Sequence, residues 1–183
     1  MALVGPESAG KTTLALRLAR RFGGEYSAEG ARTYDEARRA RGAVDPLGTG
    51  DVAPIARAQL ALEDAAAARA RTTRAPLLVR DTDLVSTVVY ARHYYGACPA
   101  WVEEAARARR ADLYLLCDVD APWTPDPVRD AGAAAPAERA RVREAFAAAL
   151  AEFGCATVRV RGGWEARERV ADTAVRALLT GLS

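Results

Sequence analysis

The stretch that decides the fold reads Gly5-Pro6-Glu7-Ser8-Ala9-Gly10-Lys11-Thr12. It fits the pattern GxxxxGK[ST], in which the backbone N–H groups of a glycine loop surround phosphate oxygens. In this pattern the lysine reaches the β- and γ-phosphates of a nucleotide, and the hydroxyl of the next residue binds Mg²⁺. The stretch therefore predicts that Lys11 and Thr12 hold the phosphates and the metal of MgATP. The other residues expected to line the nucleotide are Gly5, Glu7, Ser8, Ala9, Gly10 and Thr13.

Strands and helices alternate on either side of this loop. A short apolar run precedes the loop, and a helix over residues 12–22 follows it. Residues 25–28 are a candidate second short strand. Further apolar runs at 76–80, 113–117 and 157–160 read as buried strands separated by helical segments. Such alternation predicts an α/β fold, a three-layer sandwich of a five-stranded, mostly parallel sheet with helices on both faces. We expect one domain over residues 1–183, with ligands bound at the carboxyl ends of the strands.

The composition narrows the possible partners. The formal net charge is only +2, and Lys11 is the only lysine among 26 basic residues. A charge this small does not indicate binding to nucleic acid. The three cysteines have no CxxC spacing, and no apolar stretch approaches the roughly 20 residues that cross a bilayer. We expect a cytoplasmic protein that binds a small molecule, with no nucleic-acid or membrane partner.

Two acids come at the end of the third predicted strand, in Asp81-Thr82-Asp83. Magnesium is bound in proteins through carboxylates together with phosphates and water. Asp81 is therefore predicted to bind the metal or to act as a base. Asp83 has two readings, a contact with the substrate hydroxyl or the N-cap of the helix that begins at Leu84.

Other candidates have both a functional and a structural reading. Glu29 and Arg32 are placed to contact a sugar hydroxyl or a phosphate, or they simply begin a helix. Tyr95, with its neighbour Tyr94, either stacks on an aromatic ring or packs against a helix. Trp164 follows the last strand, where the adenine of a nucleotide lies in this architecture, or it packs there.

A proline-rich segment at about 121–134 has the composition of a lid. It contains Arg129 within Trp123-Thr124-Pro125-Asp126-Pro127-Val128-Arg129. An arginine that closes over the phosphates stabilises the transferred phosphoryl group only in the closed state. The alternative for Arg129 is an ordinary surface arginine in an arginine-rich chain.

The chain contains four features in a fixed order: the GxESxGK loop, Glu29 with Arg32, the DTD segment and W-x-x-D-x-x-R. This set resembles the ribosylnicotinamide kinase domain of the NadR type. That group belongs to the P-loop kinases, and the resemblance covers nearly the whole chain. It implies a P-loop kinase-like fold and phosphoryl transfer from MgATP to the 5′-hydroxyl of nicotinamide riboside. It also implies that Asp81 serves metal or base chemistry, that Asp83 and Glu29 serve the riboside, and that Arg129 belongs to the lid.

The chain departs from the resemblance at Ala28, where related sequences commonly have an aromatic residue suited to stacking on nicotinamide. Tyr26, Tyr94 and Tyr95 are candidate replacements. Ala28 also motivates a second hypothesis, a P-loop kinase for another nucleoside or small metabolite. A third hypothesis, from a different class, is a regulatory or switch protein that hydrolyses ATP slowly and acts through a protein partner.

Overall fold

A five-stranded parallel sheet lies at the centre of the protein, with the strand order β2-β3-β1-β4-β5. The computed structural model describes residues 1–120 and 136–181. The strands are β1 (Ala2–Val4), β2 (Glu25–Ser27), β3 (Leu78–Asp81), β4 (Tyr114–Cys117) and β5 (Thr157–Val160). The helices are α1 (Lys11–Phe22), α2 (Gly30–Ala40), α3 (Val52–Thr73), α4 (Leu84–Tyr95), α5 (Ala100–Ala108), α6 (Pro136–Glu152) and α7 (Trp164–Gly181), with a short 3₁₀ helix, Thr49–Asp51, before α3.

Alternate residues of the central strands face opposite sides of the sheet. Ala2 and Val4 pack into the core shared with α4, α5 and α6. Leu3, between them, packs into the core shared with α1 and α7. Because side chains along a strand alternate between the two faces, one short apolar strand contributes to both cores. The sheet is therefore covered on both sides, as the sequence predicted.

The register of the sheet places the ends of three strands together. Leu3 of β1 is aligned with Asp81 of β3 and with Leu115 of β4. The phosphate loop, defined as residues 5–12, leaves β1 at the same edge, beside the end of β3. Parallel pairing therefore brings the last residue of β3 next to the loop, 69 residues away from Thr12 in sequence.

The predicted elements agree closely with the observed ones. The strand at 157–160 was predicted with the bounds that the structure has, and the predicted start of a helix at Leu84 is confirmed. The third strand was predicted at 76–80 but lies at Leu78–Asp81, so Asp81 is its last residue and does not follow it. The proposed lid at 121–134, with Arg129, lies outside the described residues. None of the described helices is long and apolar enough to cross a membrane.

The phosphate loop begins with a close approach between two backbones. Gly5 has φ 137, a conformation that is open essentially to glycine alone. A Cβ atom at Gly5 would lie 2.5 Å from the carbonyl oxygen of Cys117, at the end of β4. The loop therefore passes directly over β4, and there is no space for a side chain.

We expect Gly5→Ala to lower the free energy of unfolding by about 3 kcal/mol, since it adds both backbone strain and a steric clash. Urea unfolding measures the loss. The matched control is Gly50→Ala, because Gly50 lacks the positive φ and a Cβ there meets nothing within 4 Å. An equal change in the two variants would contradict the close approach at Gly5.

Candidate active site

The lysine of the phosphate loop is held over its own loop. Lys11 is 7% exposed, and its ammonium donates hydrogen bonds to the carbonyl oxygens of Gly5 at 2.9 Å and Pro6 at 2.7 Å. The Tyr90 hydroxyl also donates to the Gly5 carbonyl, at 3.3 Å. Both carbonyls are neutral acceptors. The Asp81 carboxylate is near enough to interact with Lys11 electrostatically. Because its hydrogen-bond acceptors are neutral carbonyls, this buried ammonium still favours a neighbouring anion, which fits a phosphate group.

The end of the loop forms the start of α1. Gly10 is the N-cap with φ 77, and Ser8 also has a positive φ of 54. These conformations turn the backbone so that the first N–H groups of α1 point out of the helix end, where an anion is stabilised. Thr12 and Thr13, in the first turn of α1, are exposed on this edge of the protein. The loop therefore has the shape of an anion site.

A carboxylate lies directly beside the loop. The Thr12 hydroxyl donates a hydrogen bond of 2.6 Å to Oδ2 of Asp81, and the Tyr26 hydroxyl donates to the same oxygen at 3.1 Å. The other oxygen, Oδ1, is buried and has no hydrogen-bond partner within residues 1–120 and 136–181. Burial raises the pKa of the Asp81 carboxyl, while the Thr12 hydrogen bond acts in the opposite direction.

These donors fit Mg²⁺. The ion prefers oxygen ligands and is usually bound by one or two carboxylates plus phosphate oxygens and water. Thr12 and Asp81 supply a hydroxyl and a carboxylate oxygen in contact with each other, and the buried Oδ1 of Asp81 needs a partner. Within residues 1–120 and 136–181 there is no cluster of three or more histidine, cysteine or acidic side chains that forms a metal site without added ligands.

Asp83 has the capping role that was the alternative to a substrate contact. It is 3% exposed, and its Oδ1 accepts a hydrogen bond from the backbone N–H of Val85 in the first turn of α4. Its Oδ2 accepts a hydrogen bond of 2.6 Å from the hydroxyl of Tyr114 in β4. Burial raises the pKa of this carboxyl. Because both oxygens are engaged inside the protein, the geometry favours a structural role for Asp83.

Glu29 lies on the same side of the sheet as Asp81. It is the N-cap residue of α2, and its carboxylate is 3.7 Å from Nε of Arg32. The negative charge of Glu29 contributes to the raised pKa of Asp81, which means that the two carboxylates are close enough to interact. The structure thus brings two of the predicted acids together, whereas Asp83 points into the core.

Gln59 joins these two acidic positions and was not predicted. Its side-chain oxygen accepts a hydrogen bond of 2.7 Å from the N–H of Gly30, the residue after Glu29. Its amide nitrogen donates to the carbonyl oxygen of Thr82, the residue after Asp81, at 3.4 Å. A buried glutamine on a long alanine-rich helix carries no motif, so the sequence held no signal for it.

The predicted aromatic positions have different surroundings. The Tyr95 hydroxyl donates to the carbonyl oxygen of Leu47 at 2.9 Å, which ties α4 to the loop before α3. Tyr94 is 49% exposed and stacks on Tyr90, with ring centroids 6.0 Å apart. Trp164 lies against the phosphate loop, since a Cβ at Gly10 would be 2.8 Å from its ring. The contact of Trp164 with adenine stays a prediction.

Arg167 is a second residue that sequence patterns did not reveal. It is 1% exposed, and its guanidinium donates to the carbonyl oxygens of Ala9 at 3.1 Å, Asp118 at 2.9 Å and Gly162 at 2.8 Å. It also pairs with the carboxylate of Asp120. One buried side chain therefore joins the phosphate loop to the ends of β4 and β5. In an arginine-rich helix, nothing in the sequence distinguishes it from its exposed neighbours.

The fold and the phosphate loop together define a P-loop kinase domain. The profile of the AAA_28 family, described as an AAA domain, matches residues 1–167, and the chain belongs to that family. Two crystal structures of NadR protein, one in complex with NR and one with NAD and AMP-PNP, are each 28% identical to the chain, with a TM-score of 0.66. Both cover 96% of this chain, which makes it a NadR-like P-loop kinase domain.

The chain spans only about half the length of the NadR structures, 49% and 48% of those chains. A thymidylate kinase from Ehrlichia chaffeensis shares the fold at 15% identity and a TM-score of 0.64, covering 97% of this chain and 96% of its own. No curated protein matches the chain. The resemblance predicted from the motifs is thereby confirmed at the level of the domain and its fold.

We expect Asp83→Ala to lower the free energy of unfolding by about 2–3 kcal/mol, because the variant loses both the cap of α4 and the hydrogen bond from Tyr114. Tyr114→Phe removes only the second contact and should cost about 1 kcal/mol. Urea unfolding measures both. If Asp83→Ala kept full stability and instead raised the KM of a phosphoryl acceptor, Asp83 would be a substrate contact.

Proposed function

We propose that the protein transfers the terminal phosphoryl group of MgATP to the 5′-hydroxyl of nicotinamide riboside, giving nicotinamide mononucleotide and ADP. The observation that carries the proposal is the contact between Thr12 of the phosphate loop and Asp81, whose other oxygen is buried without a partner. This pair joins the nucleotide side of the site to the side where Glu29 lies. The identity with a NadR protein in complex with NR, 28% over 96% of the chain, supports this acceptor.

On the nucleotide side, Lys11 exchanges the Gly5 and Pro6 carbonyls for the β- and γ-phosphate oxygens. The backbone N–H groups of the loop and of the start of α1 hold the remaining oxygens. Thr12 and Asp81 would hold Mg²⁺, which would neutralise the charge that develops on the phosphates. Trp164, beside Gly10, is assigned to the adenine end of the nucleotide.

On the acceptor side, Glu29 accepts hydrogen bonds from the ribose hydroxyls. Gln59 keeps this carboxylate close to Asp81, because it bonds the residue that follows each of them. Phosphoryl transfer has a loose transition state, and catalysis consists mainly of positioning and electrostatic stabilisation. Arg32 and Tyr95 remain proposed contacts of the acceptor side, and the role of Arg129 stays a prediction.

A kinase for another nucleoside is the second candidate, and Ala28 is the observation that favours it. Three tyrosines could replace the missing aromatic residue. The hydroxyl of Tyr26 donates a hydrogen bond to Asp81, and that of Tyr95 donates one to the Leu47 carbonyl. Tyr94 keeps nearly half of its surface exposed. We therefore assign Tyr94 to stacking on the base of the acceptor, whichever base that is.

A panel assay tests the acceptor. We expect ADP and a phosphorylated product, identified by mass, when the protein is given MgATP and nicotinamide riboside. Nicotinic acid riboside and the common nucleosides form the rest of the panel, and Lys11→Ala provides the background, since loss of the loop cation abolishes turnover. ADP formation with nicotinamide riboside no higher than in Lys11→Ala would refute this acceptor. A product with another nucleoside would support the second candidate, and ADP without any phosphorylated product would support a regulatory NTPase.

We expect Asp81→Asn to lower kcat by about a hundredfold and to raise the Mg²⁺ concentration needed for half-maximal rate, because a carboxylate ligand is lost. Its stability should not fall, since the substitution removes a buried charge whose pKa is raised by burial. Mg²⁺ titrations of the initial rate and urea unfolding provide the two measurements. An unchanged Mg²⁺ dependence would remove Asp81 from the metal site.

A further inference from the structure

An arginine in the first turn of α6 reaches the phosphate loop. Nη2 of Arg139 donates a hydrogen bond to the carbonyl oxygen of Ser8, at 3.4 Å, across 131 positions of sequence. Nε of the same guanidinium is buried and has no hydrogen-bond partner among the residues that the structure describes. A buried donor without a partner costs free energy. The side chain is therefore positioned against the loop with part of its hydrogen-bonding capacity unused.

The charge of Arg139 is also unmatched by any carboxylate in the part of the chain that the structure describes. Its neighbours on α6 pair with acids: Arg141 contacts Glu138 at 3.1 Å, and Arg143 lies 3.4 Å from Glu144. Arg139 has no carboxylate within 4.0 Å among residues 1–120 and 136–181. A guanidinium offers several donors in a planar arrangement that suits phosphate oxygens. An anion between Arg139 and the loop would satisfy both the charge and the free Nε.

The packing of α6 indicates which part of the nucleotide Arg139 faces. Phe146 of α6 packs edge-on against Tyr90 of α4, with ring centroids 5.5 Å apart, and Glu138 contacts His93 of α4 at 2.5 Å. Helix α4 begins directly after the strand end that contains Asp81. The Tyr90 hydroxyl also donates to the Gly5 carbonyl, so this part of α4 borders the loop. Arg139 thus reaches the loop beside α4, whereas Trp164 covers the loop at Gly10. In the proposed site the terminal phosphate lies on the side of the loop next to Asp81, away from Trp164.

We propose that Arg139 is a further catalytic residue, which binds the terminal phosphoryl group of the donor nucleotide and stabilises its charge during transfer. The proposal rests on the proposed function, because it requires that a nucleoside triphosphate binds in the loop. In the reaction, the acceptor oxygen forms a bond to the terminal phosphorus while the bond from that phosphorus to the bridging oxygen breaks. ADP leaves with the electron pair, and the hydroxyl proton passes to a carboxylate of the site and on to water. Arg139 moves no proton.

The experiment compares Arg139→Ala, Arg139→Gln and the matched control Arg141→Ala, which removes an exposed arginine from the same turn. Steady-state kinetics use MgATP and the best acceptor of the panel. Calorimetry measures the binding of a non-hydrolysable ATP analogue and of ADP. We expect kcat to fall about a hundredfold in both Arg139 variants. The Kd of the analogue should rise about tenfold and that of ADP should change less than about twofold. Arg141→Ala should match the wild type.

Equal losses of affinity for the analogue and for ADP would overturn the proposal, since they would mean that Arg139 only supports the shape of the loop. Unchanged kcat and unchanged analogue binding would overturn it as well. The binding comparison needs no acceptor. If no member of the panel were phosphorylated, the proposed function would fail, while a selective loss of analogue binding in Arg139→Ala and Arg139→Gln would still support the role of Arg139 at the terminal phosphate.

Discussion

The close passage of the phosphate loop over the end of β4 is the constraint on which the rest of the site depends. A Cβ at Gly5 would lie 2.5 Å from the Cys117 carbonyl, so the loop can pass this close to β4 only with a glycine at this position. On that path the loop turns directly into α1. The parallel register of β1 with β3, in which Leu3 is aligned with Asp81, then brings a carboxylate to the Thr12 hydroxyl. The pairing of β1 with β3 therefore brings the proposed phosphate site and the proposed Mg²⁺ site next to each other.

Three basic side chains contact the phosphate loop, and they differ in their hydrogen-bond and ion-pair partners. Within the described residues, Lys11 and Arg139 hydrogen-bond to neutral carbonyl groups of the loop and to no carboxylate, so their charges favour an anion there. Arg167 contacts the loop as well, but its pairing with Asp120 and its three carbonyl partners make it a structural connection. Three basic side chains at one loop therefore differ in what their partners leave unsatisfied. Their partners, and not their residue types, indicate their functions.

The two acids of the DTD segment illustrate the same principle. Asp81 and Asp83 are two positions apart, and burial raises the pKa of both carboxyls. Asp83 has both oxygens occupied by α4 and by Tyr114, whereas Asp81 keeps one oxygen without a partner beside the loop. Gln59 bonds the residue that follows Asp81 and the one that follows Glu29. Gln59 therefore connects the proposed metal side of the site to the proposed acceptor side.

The sequence by itself determined the phosphate loop, the alternation of strands and helices, and the presence of an acid at the end of β3. These features have short-range signatures, because glycine spacing and the periods of strands and helices are local properties. Tertiary structure alone decided that Asp83 caps a helix, and it alone revealed Gln59, Arg139 and Arg167. The contacts of Arg139 with Ser8 and of Arg167 with Ala9 span 131 and 158 positions. In a chain with arginines on every helix, only packing selects the few that reach the loop.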